Sequence, residues 1–171
     1  MSDAKGSGDP IDEVIEESFP ASDPPQWTGA HAGAPAVDSH KGEGEDLWTV
    51  RSAFAPQETV ARIERAVVGA GMKVFAKIDQ AAEARSVGLA MRPAVVLLFG
   101  NPKGGTPLMV SRPTVAIDLP LKALVWEDER GVTWLTYNTP SLLVRRHAVD
   151  AKLAATLAPA GDLLTRAVTA Q

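Results

Sequence analysis

The sequence predicts an α+β domain in two layers, with helices packed on one mixed, mainly antiparallel sheet. Three observations carry this expectation. Residues 94–99 (AVVLLF) are an unbroken apolar run rich in β-branched side chains, the pattern of a central strand covered on both faces. Residues 121–127 and 132–137 are strand-like segments separated by Asp128-Glu129-Arg130-Gly131, a hairpin turn ending in glycine. Residues 56–70 and the stretch after Pro140 carry the helical portion, so helices and strands are to share one core.

The elements follow in order. Residues 1–45 are rich in Gly, Pro, Ala, Ser and acids, a composition that buries too little apolar surface to offset its ordering entropy. Within this arm, residues 9–19 read as a short helix: Asp9 is a good N-cap, Pro10 sits at the first helical position, and acids fill the first turn. Its apolar face is Ile11, Val14, Ile15 and Phe19. So short a helix needs a partner to persist in water. Pro20, Pro24 and Pro25 stop it and leave one large aromatic, Trp27; residues 29–45 read as a linker.

The body, residues 46–171, opens with a strand over 47–54. A helix starts at Pro56, buries the stripe Val60, Ile63 and Val67, and ends at Gly71. Residues 72–78 read as a strand, and 79–93 fit no single template. Gly100–Gly105 is expected to be a loop, with Thr106 and Pro107 as N-cap and first position of a helix that Pro113 interrupts. Thr139 caps a helix from Pro140, and helical sequence runs to the end, broken at Pro159 and Gly161.

Composition excludes several function classes. There is no cysteine, which removes disulfides, thiol catalysis and thiolate metal sites. The N-terminus is polar and acidic, unlike a secretory signal, and there is no apolar run long enough for a membrane span; the expected location is the cytoplasm. The arm carries ten acids against Lys5 and Lys41, while the body has eleven acids and fifteen Lys or Arg. That mild, scattered excess lacks the clustered cations and stacking aromatics of a nucleic-acid face. With His147 as the only histidine of the body, no metal site and no cofactor is assigned. Ser141 and His147 lie two helical turns apart, too far for a nucleophile–base pair, so no catalytic residue is assigned.

The strongest functional candidate is the stretch Asn101, Lys103, Gly104, Gly105 and Thr106. A Gly-rich turn followed by a helix can aim backbone N–H groups at an anion, with Lys103 adding charge; the lysine precedes the glycine pair, so this is not a Walker loop. Tyr137, Asn138 and His147 are the second group, at the end of a strand and of the helix after it. The expectation is a non-enzymatic module that binds a small molecule or anion between these two groups. Two alternatives stand beside it. One is an interaction protein docking a protein partner through Ile11, Val14, Ile15, Phe19 and Trp27. The other is an enzyme using His147 with Tyr137 or Lys103 in acid–base chemistry. Trp126 and Trp134, on the hairpin strands, read as core or dimer-interface residues.

Residues 98–109 (LFGNPKGGTPLM), 118–128 (DLPLKALVWED), and 134–140 (WLTYNTP) with Arg146-His147 resemble the bacterial domain of unknown function 302, with its TT1751-like fold, over about residues 47–148. The resemblance implies a small α+β domain and a homodimer, and no reaction. Many members have His where this chain has Gln80, and Asp where it has Thr139. Residues 16–27 (EESFPASDPPQW) separately resemble a short motif attached to many small bacterial proteins.

Overall fold

The computed structural model describes residues 39–41 and 46–169. The helix expected over 9–19, its docking face and Trp27 lie outside the described residues. Six strands form one sheet: β1 (Ser39–Lys41), β2 (Leu47–Arg51), β3 (Lys73–Asp79), β4 (Ala94–Gly100), β5 (Leu121–Glu127) and β6 (Thr133–Asn138). Their spatial order is β1-β2-β6-β5-β4-β3. Every pairing is antiparallel, so the expected mixed sheet is corrected to a wholly antiparallel one. Residues 39–41, read as linker, pair with β2 at the sheet edge. Three polar residues carry no hydrophobic periodicity, so only the neighbouring strand defines them as β.

Helix α1 (Pro56–Gly69) explains the topology. It must carry the chain from β2 to β3, four strand spacings away, or roughly 19 Å. Its 14 residues span about 21 Å, so the helix crosses the sheet and delivers the chain to the far edge. Its N-terminus is held by a hydroxyl cluster. Ser52 Oγ lies 2.7 Å from Thr59 Oγ1, accepts from Phe54 N at 3.2 Å, and Thr59 Oγ1 donates to Phe54 O at 3.1 Å. These bonds end β2 at Arg51, short of the expected strand. At the other end Gly71 takes φ +73°, and its N–H and that of Met72 close onto Val68 O and Val67 O.

One face of the sheet is the core. Val50, Leu97, Phe99, Ala123, Val125 and Leu135 pack there against Val60, Ile63 and Val67 of α1, and against Ala160, Leu164 and Val168 of the C-terminal helix. Each Val, Leu, Ile or Phe among them contributes about 1.5–3 kcal/mol when fully buried. On β4 the alternate residues Val96 and Leu98 are only half-buried, so this central strand is covered on one face and not both. The unassigned stretch after β3 holds α2 (Gln80–Ser86), capped by Asp79, whose carboxylate accepts from Ala82 N at 2.9 Å.

A second, smaller core lies beyond the strand ends. Leu108 of α3 (Pro102–Ser111), Val115 of the 3-10 helix Pro113–Ile117, Leu143 of α4 (Pro140–His147), Val149, and Ala154 of α5 (Ala151–Ala154) pack together. A 3-10 turn over Ala155–Leu157 leads into α6 (Ala158–Val168), which returns to the sheet. The expected break at Pro159 and Gly161 does not occur. Pro159 falls in the first turn, where its missing N–H is no loss.

Candidate functional site

Two helices frame a cleft at the end of the sheet. Helix α3 begins five residues before the position expected from Thr106-Pro107. Asn101 is the N-cap, its Oδ1 accepting from Lys103 N at 2.9 Å, and Pro102 occupies the first turn. The earlier pair sets the helix start, and Pro107 is absorbed inside the helix. Gly104 N and Gly105 N both bond Asn101 O at 3.0 Å. The amides expected to face an anion are therefore committed to Asn101.

The wall opposite is α6, with Pro159, Leu163 and Arg166 on one stripe at helical spacing. Met72 and Phe75 from the start of β3, and Leu119, Pro120 and Leu121 leading into β5, supply the remaining apolar surface. The cleft is open to one side and its volume is about 680 Å³. On α3 the cleft side is Pro102, Gly105, Thr106 and Met109, at i, i+3, i+4 and i+7. Arg166 is the one charged residue lining the cleft among the described residues, and it forms no ion pair with any of them. A cavity of about 580 Å³ lies between α1, α2 and β3, but its wall carries charges of both signs, and Lys77 and Glu64 pair there at 3.0 Å.

The expected site residues divide among three places. Asn101, Gly104, Gly105 and Thr106 line the cleft, whereas Lys103 is exposed on α3 and does not. Tyr137 and Asn138 line a separate small space of about 20 Å³ beside Gly161 and Leu164. There the ring of Tyr137 packs directly against the backbone of α6. Burial raises the Tyr137 phenol above its ordinary value, the nearby Asp162 charge adds to this, and a hydrogen bond from the Thr165 hydroxyl opposes it.

His147 belongs to a third place. Its Nε2 lies 2.6 Å from Asp118 Oδ2 and its Nδ1 3.0 Å from Thr114 Oγ1, while Arg146 Nη1 donates to Asp118 Oδ1 at 3.1 Å and Lys122 Nζ to Asp118 O at 3.1 Å. The His147 side chain is only 6 % exposed. Asp118 thus supplies the orienting carboxylate that the sequence reading did not find, although Asp118 opens the string 118–128. The arrangement fixes the imidazole and ties the end of α4 to the segment entering β5. It borders neither Tyr137 nor Lys103 by any hydrogen bond, and His147 does not line the cleft. Thr139 sits at the N-cap position of α4 without capping it; its hydroxyl bonds Ser141 Oγ at 2.6 Å and Asp46 O at 3.3 Å.

At the hairpin, Asp128 Oδ1 accepts from Arg130 N and Val132 N at 2.8 and 2.9 Å, and Oδ2 accepts from the Trp134 indole at 3.0 Å. Burial pushes this carboxyl up, but the Trp134, Val132 and Arg130 donors and the Arg130 charge outweigh it and hold it below its ordinary value. Trp126 and Trp134 stack with centroids 6.3 Å apart. Among the described residues, no three His, Cys, Asp or Glu side chains converge as metal ligands, and no helix is long and apolar enough to cross a membrane.

Comparison with known proteins gives relatives in two forms. The fluoride-specific ion channels FluC 1 of Brucella suis and FluC 2 of Brucella melitensis are each 42 % identical over 103 residues, which is 60 % of this chain. The chain matches only 41 % and 38 % of their respective lengths. The crystal structure of an uncharacterized conserved DUF302 protein from Bacillus stearothermophilus is similar in fold, with a TM-score of 0.62 and 24 % identity, covering 71 % of this chain and 94 % of that one. The model of the family described as "Domain of unknown function DUF302" matches residues 48–170, which include β3 to β6, nearly all of β2 and both helices of the cleft, and the chain belongs to that family.

Proposed function

We propose that the protein is a non-enzymatic module that binds a small, largely apolar molecule in the cleft between α3 and α6. The observation that carries this is the glycine pair. Gly104 and Gly105 lie inside α3, and neither adopts a left-handed backbone. A Cβ on Gly104 would meet Leu157 at 3.8 Å, and one on Gly105 would meet Leu119 at 3.5 Å, both ordinary contacts. Glycine in a helix interior costs about 1 kcal/mol relative to alanine. Neither backbone conformation nor close packing calls for glycine here; what the pair does is leave the cleft open. Small-molecule sites are concave, mostly apolar and roughly 300–1,000 Å³, a range that includes this one.

The test is Gly105→Leu in the full chain, with N-phenyl-1-naphthylamine as an apolar fluorescent probe. Probe affinity is expected to fall by at least about tenfold, or 1.4 kcal/mol, while near-UV circular dichroism and melting temperature hold. Unchanged affinity in a folded variant would remove the cleft reading.

The same reading makes the protein a cytoplasmic homodimer. Support for the dimer is the family resemblance, and the surface offered is the half-buried row Val96, Leu98, Leu124 and Trp126. A monomer in sedimentation equilibrium would remove that part. Channel activity is not taken over from the fluoride-channel relatives, since no described helix is long and apolar enough to cross a membrane.

A further inference from the structure

We infer that the cleft selects amphipathic monoanions, molecules with an apolar body and a single carboxylate or sulfonate head, and that Arg166 is the head-group contact. The inference rests on the cleft being the ligand site and names the class of ligand.

The wall chemistry sets the body of the ligand. Met72, Phe75, Met109, Leu119 and Leu163 offer it hydrocarbon and sulfur. Phe75 is 46 % exposed, so the wall presents aromatic surface to a ligand. A polyanion such as a nucleotide would leave most of its charges against this wall without donors, at a desolvation penalty of several kcal/mol.

The charge distribution sets the head. Arg166 stands on the same α6 stripe as Pro159 and Leu163, lines the cleft with them and is exposed, a position from which an arginine lays its stem on apolar surface and keeps its head in water. Asp162, one turn earlier on α6, is placed for an i,i+4 pair with it, yet no ion pair forms. A second cation stands close by: Lys73 Nζ lies 5.2 Å from the centre of the Phe75 ring. Among the described residues no carboxylate lines the cleft. The first amides of α3 cannot hold an anion because Asn101 already takes Lys103, Gly104 and Gly105 N–H. A planar guanidinium binding one carboxylate or sulfonate in a fork is the geometry left available.

The experiment compares 11-(dansylamino)undecanoate with its methyl ester, by fluorescence, on the wild-type chain, Arg166→Gln and Gly105→Leu. The acid is expected to bind the wild type about tenfold tighter than the ester, a difference of 1.4 kcal/mol. Arg166→Gln is expected to bring the acid down to the ester's affinity and leave the ester unchanged. Added salt is expected to weaken only the acid. Equal affinities for acid and ester on the wild type, or a preference that survives Arg166→Gln, overturn this inference while leaving the cleft reading intact. If neither probe binds the wild type, or Gly105→Leu leaves both unaffected, the cleft reading fails and this inference goes with it.

Discussion

Gly161 fixes how closely α6 approaches the sheet, and one methyl group tests this. A Cβ built there would lie 2.8 Å from Tyr137 Oη, 2.9 Å from Cε2 and 3.1 Å from Cζ. Favourable separations between such atoms are roughly 3.5–4.0 Å, so something must move. The Tyr137 ring is not free to do so, because its oxygen is hydrogen-bonded to Thr165 on the same helix and its edge packs on the main core. Overpacking of this kind costs about 1–3 kcal/mol. Against it, replacing a helical glycine by alanine returns about 1 kcal/mol. Gly161→Ala is therefore expected to destabilise the wild type by roughly 1 kcal/mol. In a Tyr137→Val background the clash is gone and only the helix term remains, so the same substitution should stabilise by up to about 1 kcal/mol. The coupling energy is then about 2 kcal/mol, with a change of sign between backgrounds. Urea denaturation of the four variants measures it. If Gly161→Ala has the same sign and size in both backgrounds, the contact between α6 and Tyr137 is not as close as described. Because α6 also carries Pro159, Leu163 and Arg166, the Gly161→Ala variant should in addition show altered probe affinity in the cleft.

Tyr137 is the only tyrosine, so absorbance at 295 nm titrates it alone. Burial holds its phenol above the ordinary value of about 10, and a midpoint at or below that value would contradict the packing. The folded state keeps the proton to higher pH than the unfolded chain does. Its stabilising contribution is complete below about pH 10 and lost as pH rises through the folded value, so the melting temperature should fall more steeply there than in Tyr137→Phe. Asp128 has the opposite sign. Its folded value is depressed, so its contribution is present above the ordinary aspartate value of about 3.9 and lost as pH falls through the folded one. The melting-temperature gap between wild type and Asp128→Ala should shrink on acidification from neutral pH, and a constant gap would count against the turn network. Asp118→Ala strands the buried His147 imidazole and should cost about 1–3 kcal/mol in denaturant titration, with Asp118→Asn milder. Equal, negligible losses in both would show that the contact contributes little.

Much of the fold was legible because it is written in local patterns. The stripe Val60, Ile63 and Val67, the terminating Gly71 and the apolar run of β4 each follow from periodicity or backbone chemistry within one segment. The strings around Gly100, Asp118 and Tyr137 identified the family, and of the expected stretch Asn101, Gly104, Gly105 and Thr106 line the cleft while Lys103 does not. Competing local signals were less decisive. Two cap-plus-proline pairs lie five residues apart, and only folding chose Asn101-Pro102 over Thr106-Pro107. A three-residue strand at Ser39–Lys41 has no pattern of its own and exists because β2 offers an edge.

What the sequence by itself determined is therefore the longer elements with a clear pattern, the fold class and the absence of thiol chemistry. Tertiary structure alone decided which of them meet. It brought Arg166 and Leu163 across from Gly105 and Met109, separated by more than fifty residues, and it moved His147 away from Tyr137 and onto Asp118. The physical reason is that local patterns report a segment's conformation and its buried face. A site is made of distances between segments, and those depend on close-packing constraints such as the contact of Gly161 with Tyr137, which no single stretch of sequence contains.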